Sequence, residues 1–125
     1  MDIKFINPVI MVKDISVSKT FYSEVLGLKI LQDAGVFVLF ENHFSIHQAR
    51  ELQQTVFGEA PRLSIDPMGA DNLLLYFESL DLQADFQKIK DKVTLIHPIV
   101  KQSWGQNVFR FYDPDRHVVE IGEAL

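Results

Sequence analysis

One order of elements, strand, helix and then three strands, runs through this chain twice, and few folds accommodate that. In the first half, β-prone residues predict a strand over 3–12, with Pro8 pushing it toward a sheet edge or a bulge. Asp14 is placed as an N-cap for a helix over 15–26, whose apolar stripe is Val17, Phe21, Tyr22, Val25 and Leu26. Gly27 stands where a helix ends in a left-handed residue. Three short strands follow over 28–32, 36–40 and 44–48, separated by the turn-like Asp33-Ala34-Gly35 and Glu41-Asn42-His43.

The second half repeats the order. A strand over 72–78 leads to Ser79 and Asp81, both cap candidates, and to a helix over 82–92 with Leu82, Phe86 and Ile89 on one stripe. A strand over 93–96 precedes a long connection over 98–105. Two strands over 108–112 and 117–121 then flank the turn chemistry of Asp113-Pro114-Asp115. Between the halves, 49–71 is irregular: a short helix over 50–57, then Pro61, Pro67 and Gly69 as loop signals.

Setting Phe21 on Phe86, a shift of 65 positions, also sets Asn7 on Asn72 and Asp14 on Ser79. Setting His47 on Glu120 takes a shift of 73, and the additional residues fit the 96–105 connection. Repeats of this kind indicate a fold built by duplication. The expected architecture is α+β: two tandem βαβββ modules forming a curled mixed sheet around a cleft. The expected organisation is a single domain over 1–125, with a first module over 1–48, a linker over 49–71 and a second module over 72–125.

Composition narrows the partners. There are no cysteines, so disulfides, thiolate nucleophiles and thiolate-bound metals are excluded. A net charge of −5 speaks against nucleic acid, which is bound through clustered Lys and Arg. No apolar run reaches the ~20 residues of a membrane span, and the N-terminal residues lack the form of a signal peptide. The expectation is a cytoplasmic protein with no membrane or nucleic-acid partner.

Two motifs carry a family resemblance: Asp14 with Phe21-Tyr22 and Val25-Leu26-Gly27-Leu28, and Phe109-Arg110-Phe111-Tyr112-Asp113-Pro114-Asp115 through Val119-Glu120. With them the chain resembles the vicinal oxygen chelate superfamily, which includes glyoxalase I, extradiol dioxygenases, fosfomycin-resistance enzymes and bleomycin-resistance proteins. The resemblance implies a homodimer with two clefts. It also implies metal-site positions on the first and last strand of each module. These are Asn7 and Asn72 on the first strands, His47 and Glu120 on the last.

Two readings of these positions follow. His47 and Glu120 could hold a divalent metal (Zn, Ni, Mn or Mg), with Glu120 as ligand or base of a lyase, isomerase or dioxygenase. Amide oxygens are weak ligands for Zn²⁺ or Ni²⁺ and suit Mn²⁺ or Mg²⁺ better. Alternatively no metal is bound, and the four residues are the polar floor of a pocket for a small organic molecule. Alternation adds Val9, Met11, Ser45, Leu74, Tyr76 and Val118 to that wall, and turns Ile10, Val12, Phe44, Ile46, Leu73, Leu75, Phe77, Val119 and Ile121 toward the helices. Trp104 either lids the cleft and stacks on a flat ligand or covers a sheet end. Arg110 either meets an anionic ligand or pairs with Glu120. His43, His97 and His117 are assigned no catalytic role.

Overall fold

The structure is a computed structural model, and it describes residues 1–59 and 67–125. The expected loop signal at Pro61 lies outside the described residues. The chain divides into two compact units, Met1–Met68 and Gly69–Leu125.

The first unit holds β1 (Val9–Val12), α1 (Ile15–Thr20), β2 (Ile30–Asp33), β3 (Phe37–Phe40), β4 (Phe44–Gln48) and α2 (Ala49–Phe57). Its sheet runs β1-β4-β3-β2, with β1 parallel to β4 and the other neighbours antiparallel. Asp14 caps α1 as expected, its Oδ1 accepting from the Ser16 and Val17 amides. The helix then widens into a π-helical turn over Phe21–Val25, closed by the Leu26 amide on the Phe21 carbonyl. Gly27 ends it at φ +71°.

The buried face of α1 differs from the expected stripe. Val17 is 50% exposed, and Ser18 is buried instead, with Phe21 and Tyr22. These three are spaced i, i+3, i+4, the face that meets the sheet. Tyr22 packs on Phe44 (4.8 Å between ring centroids) and Phe40 (6.0 Å). Each such aromatic pair adds about 0.5–1.5 kcal/mol beyond area burial. β1 is shorter than the sequence suggests. Residues before Val9 form no ladder, so Asn7 precedes the strand rather than lying in it. Helix α2 also packs against β1 and β4, within the span expected to be linker.

The second unit holds β5 (Leu74–Ser79), α3 (Leu82–Ile89), β6 (Thr94–Lys101), β7 (Asn107–Tyr112) and β8 (Val118–Glu123). Its sheet order, β5-β8-β7-β6, repeats that of the first unit with the same parallel pair. In the ladders Met11 stands opposite His47, and Tyr76 opposite Glu120, so the two shifts inferred from the repeat hold in three dimensions. Asp81 is the N-cap of α3, its Oδ1 accepting from the Ala84 amide. Asn72 precedes β5, as Asn7 precedes β1.

The largest departure is β6. The sequence places a strand over 93–96 and a connection over 98–105, whereas the strand continues to Lys101. Its register slips between Leu95 and His97 and again between His97 and Val100. β6 is an edge strand, so Pro98 sits there without orphaning a ladder partner, and the bulges absorb its geometry. The turn into β7 is closed by the Gln102 amide on the Gln106 carbonyl.

The Asp113-Pro114-Asp115 turn is tied from inside. Asp113 Oδ1 accepts from the Asp115 and His117 amides, and Oδ2 meets His117 Nδ1 at 2.9 Å. Gly69 lies so close beneath this turn that a Cβ there would stand 2.0 Å from the Arg116 carbonyl oxygen. In both sheets the residues expected to face the helices are mostly buried: Ile10, Val12, Phe44, Ile46, Leu75, Val119 and Ile121. Leu73 is exposed, because it precedes β5. No helix among the described residues is long and apolar enough to cross a membrane.

Candidate functional site

The expected site residues fall in two groups, one on each unit. In the first unit, Asn7 Nδ2 donates to Ser45 Oγ at 2.7 Å and to the Pro8 carbonyl. Asn7 therefore meets β4 two residues short of His47. His47 is half-buried. Its Nδ1 lies 2.9 Å from the Gln48 carbonyl, an acceptor only, so Nδ1 is the donor there and the neutral ring offers Nε2 as acceptor. Across the sheet it faces Phe37, 6.1 Å between ring centroids, and Met11.

In the second unit one row crosses all four strands in register: His97 on β6, Arg110 on β7, Glu120 on β8 and Tyr76 on β5. Glu120 is 7% exposed. Its Oε1 receives both Arg110 Nε and Nη2 at 2.7 Å. Arg110 Nη2 also donates to Gln102 Oε1 at 3.1 Å, and Nη1 lies 3.0 Å from His97 Nε2. His97 Nδ1 is 2.7 Å from the Pro98 carbonyl, so it bears the proton and Nε2 accepts from the guanidinium. Three hydrogen bonds and one further ion-pair contact thus engage the guanidinium within the unit. The expected pairing of Arg110 with Glu120 is present; Gln102 and His97 were not foreseen. The signal hiding them was Pro98, which made the edge strand read as a loop.

A second chain of bonds borders that row. Trp104 Nε1 donates to Gln106 Oε1 at 2.9 Å, and Gln106 Nε2 donates to the Tyr76 hydroxyl at 2.9 Å and to the Glu123 carbonyl at 2.8 Å. Tyr76 in turn donates to Glu78 Oε2. Gly122 makes room for this: a Cβ there would lie 2.5 Å from Gln106 Nε2. The Gln106 bond favours the phenolate of Tyr76, yet the phenol pKa is raised overall. Shielding from water, the bond to Glu78 and the charges of Glu78 and Glu120 outweigh it. Tyr76 is 45% exposed and Trp104 60%, so both rings keep open surface while their polar atoms are tied down. Asn72 is exposed at the approach to β5.

The donor set does not fit a tightly held transition metal. Glu120 already carries a guanidinium counter-charge, which would repel a divalent ion beside it. The two first-strand residues are amides, and Asn7 is bonded to Ser45. His47 Nε2 is the one favourable donor atom, and a catalytic site ordinarily uses three good protein ligands. Among the described residues no three His, Asp or Glu side chains converge as a metal-holding group.

The glyoxalase-like domain family matches residues 5–125. Among solved structures, a protein of unknown function from Agrobacterium tumefaciens str. C58 is similar at 51% identity and a TM-score of 0.93, over 100% of this chain and 97% of its own. A glyoxalase/bleomycin resistance protein/dioxygenase from Nocardioides is similar at 18% identity and TM-score 0.76, over 100% and 86%. A lactoylglutathione lyase from Agrobacterium tumefaciens is similar at 16% identity and TM-score 0.70, over 97% and 93%. These last two likenesses are of fold. No curated protein matches the chain. A family match over nearly the whole chain, on the duplicated βαβββ architecture, makes this protein a member of the glyoxalase-like domain family, within the vicinal oxygen chelate superfamily.

Proposed function

We propose that this protein binds a small organic molecule, planar and either uncharged or cationic, in a cleft of a homodimer. The sheet face bearing Tyr76 and Trp104 would form the wall of that cleft. The observation that carries the reading is the engagement of Glu120 by Arg110. It makes the centre of the row electrically neutral, leaving the exposed rings of Tyr76 and Trp104 beside Leu74 and Val100 as contact surface. Aromatic faces stack on flat ligands and attract cations, and Glu78, bonded to Tyr76, adds a negative charge.

Trp104 is the single tryptophan, so its fluorescence reports on this face alone. Titration with a planar aromatic cation, and with its uncharged analogue, is expected to quench it saturably. Tyr76→Ala should weaken binding by about tenfold, the loss of ~1–2 kcal/mol of stacking. Absence of saturable quenching by either compound would overturn the reading.

The second reading is a divalent-metal-dependent lyase, isomerase or dioxygenase of the glyoxalase type. The observation favouring it is the posture of His47, anchored through Nδ1 with Nε2 left to accept. Metal-dependent turnover of a hemithioacetal that is lost in His47→Ala and Glu120→Gln would establish this reading in place of the first.

A further inference from the structure

Gln106 is buried just before β7, and its backbone is fixed on both sides. Its carbonyl accepts from the Gln102 amide, and the following amide, of Asn107, donates to Glu123 Oε1 at 2.9 Å. Its side chain meets Trp104, Tyr76 and the Glu123 carbonyl. The indole N–H only donates, so the atom facing it is Oε1; the carbonyl only accepts, so the atom facing that is Nε2. The neighbours thereby settle which way the amide lies. Nε2 directs its second N–H to the Tyr76 hydroxyl, which turns its own proton to Glu78 Oε2 at 3.0 Å. Every proton from Trp104 to Glu78 has one direction.

The indole N–H and the phenol O–H are both committed within the unit, while the two rings stay exposed. A ligand laid on them meets π-surface and no free donor. Gly122, paired with Glu78 across the parallel ladder, keeps the amide in place. A Cβ there would stand 2.5 Å from Gln106 Nε2 and 3.2 Å from Tyr76 Cε1.

We propose that Gln106 is a positioning and specificity-determining residue. Its one amide holds Trp104 and Tyr76 as a rigid two-ring platform that selects flat aromatic cations over flat ligands bearing a carbonyl or carboxylate acceptor. An acceptor pressed against the platform gives up water and finds no donor. A cation gives up less, is drawn to the ring faces, and has the Glu78 charge beside it. Rings ordered before binding need not be ordered by the ligand. The ligand class rests on the organic-molecule reading above; the positioning does not.

The test compares the unsubstituted protein with Gln106→Met, which keeps the side-chain length and removes all three bonds, and with Gly122→Ala, which displaces the amide. Without ligand, the single indole N–H is expected to exchange about tenfold more slowly in the unsubstituted protein than in either variant. Trp104 fluorescence should gain a sub-nanosecond depolarising motion in both variants. With ligand, quenching by 1-methylquinolinium should weaken about tenfold in both. The preference for it over 1-methyl-2-quinolone, a flat neutral acceptor, should fall several-fold as the indole N–H is released. Unchanged indole exchange and depolarisation in both variants would overturn the positioning. An unchanged preference would overturn the selection. A lower unfolding temperature with all of these unchanged would make Gln106 a tie between β7 and β8 alone, and would overturn both. If neither variant folds, the unsubstituted protein decides: an indole N–H exchanging as fast as that of free tryptophan overturns the proposal, and a protected one supports it. Absence of binding by either compound removes the organic-molecule reading and the selection with it, while the ligand-free measurements still decide the positioning.

Discussion

Glu120 and His47 stand at equivalent points of the two units, yet their neighbours give them opposite characters. Glu120 faces Arg110 and is neutralised; His47 faces Phe37 and keeps a free lone pair. A single residue of β3 or β7 makes the difference. A simpler case is Asp33. The Gly35 amide and then the Lys19 ammonium, 2.9 Å away, lower its carboxyl below the ordinary 3.8. A carboxyl whose folded pKa is depressed adds stability above its unfolded value and loses it as pH falls through the folded one. Asp33→Asn should therefore lower the unfolding temperature at neutral pH, and the difference from the unsubstituted protein should close as pH drops below 3.8, as scanning calorimetry would show. The effect is small because the group is exposed, and salt erodes the Lys19 part first. At this scale Glu120, His47 and Arg110 were legible as polar groups in apolar strands. The partners His97, Gln102 and Gln106 were not, because they lie in or next to a bulged edge strand whose alternation is broken.

Among the elements, the helix starts were the most legible, since a cap is a local bond. Asp14 and Asp81 both accept backbone amides of their first turns. Asp81→Ala should cost about 1 kcal/mol in urea unfolding at an unchanged m-value. Asp81→Ser should recover most of that loss. The strand lengths were less legible. β1 and β5 begin later than their composition suggests, and β6 runs five residues beyond 96, to Lys101. Where a strand begins is set by the neighbour available to accept its hydrogen bonds, and that neighbour is remote in sequence. The stripe on α1 shifted from Val17 to Ser18 for a related reason: propensity favours a helix there, but the sheet decides which side is covered.

For the whole molecule, the duplication is the governing fact. Both sheets carry the same order and the same parallel pair, so each strand position on one has a counterpart on the other, even where the residues differ. The proposed function requires a homodimer. Light scattering on a sizing column should return a mass near twice 14.4 kDa at micromolar concentration, and a monomer across that range would remove the dimeric cleft from the proposal. What the sequence determined by itself was the repeat, the α+β class and the family motifs, because periodicity, caps and turn residues act over a few positions and need no tertiary partner to be read. What only the tertiary structure decided was the fate of the buried carboxylate. The Arg110 ion pair with Glu120 spans β7 and β8, and its other contacts come from β6 and the turn beyond. Whether a charge in a low-dielectric setting is a ligand, a base or a neutralised pair depends on which groups the fold brings within about 3 Å of it.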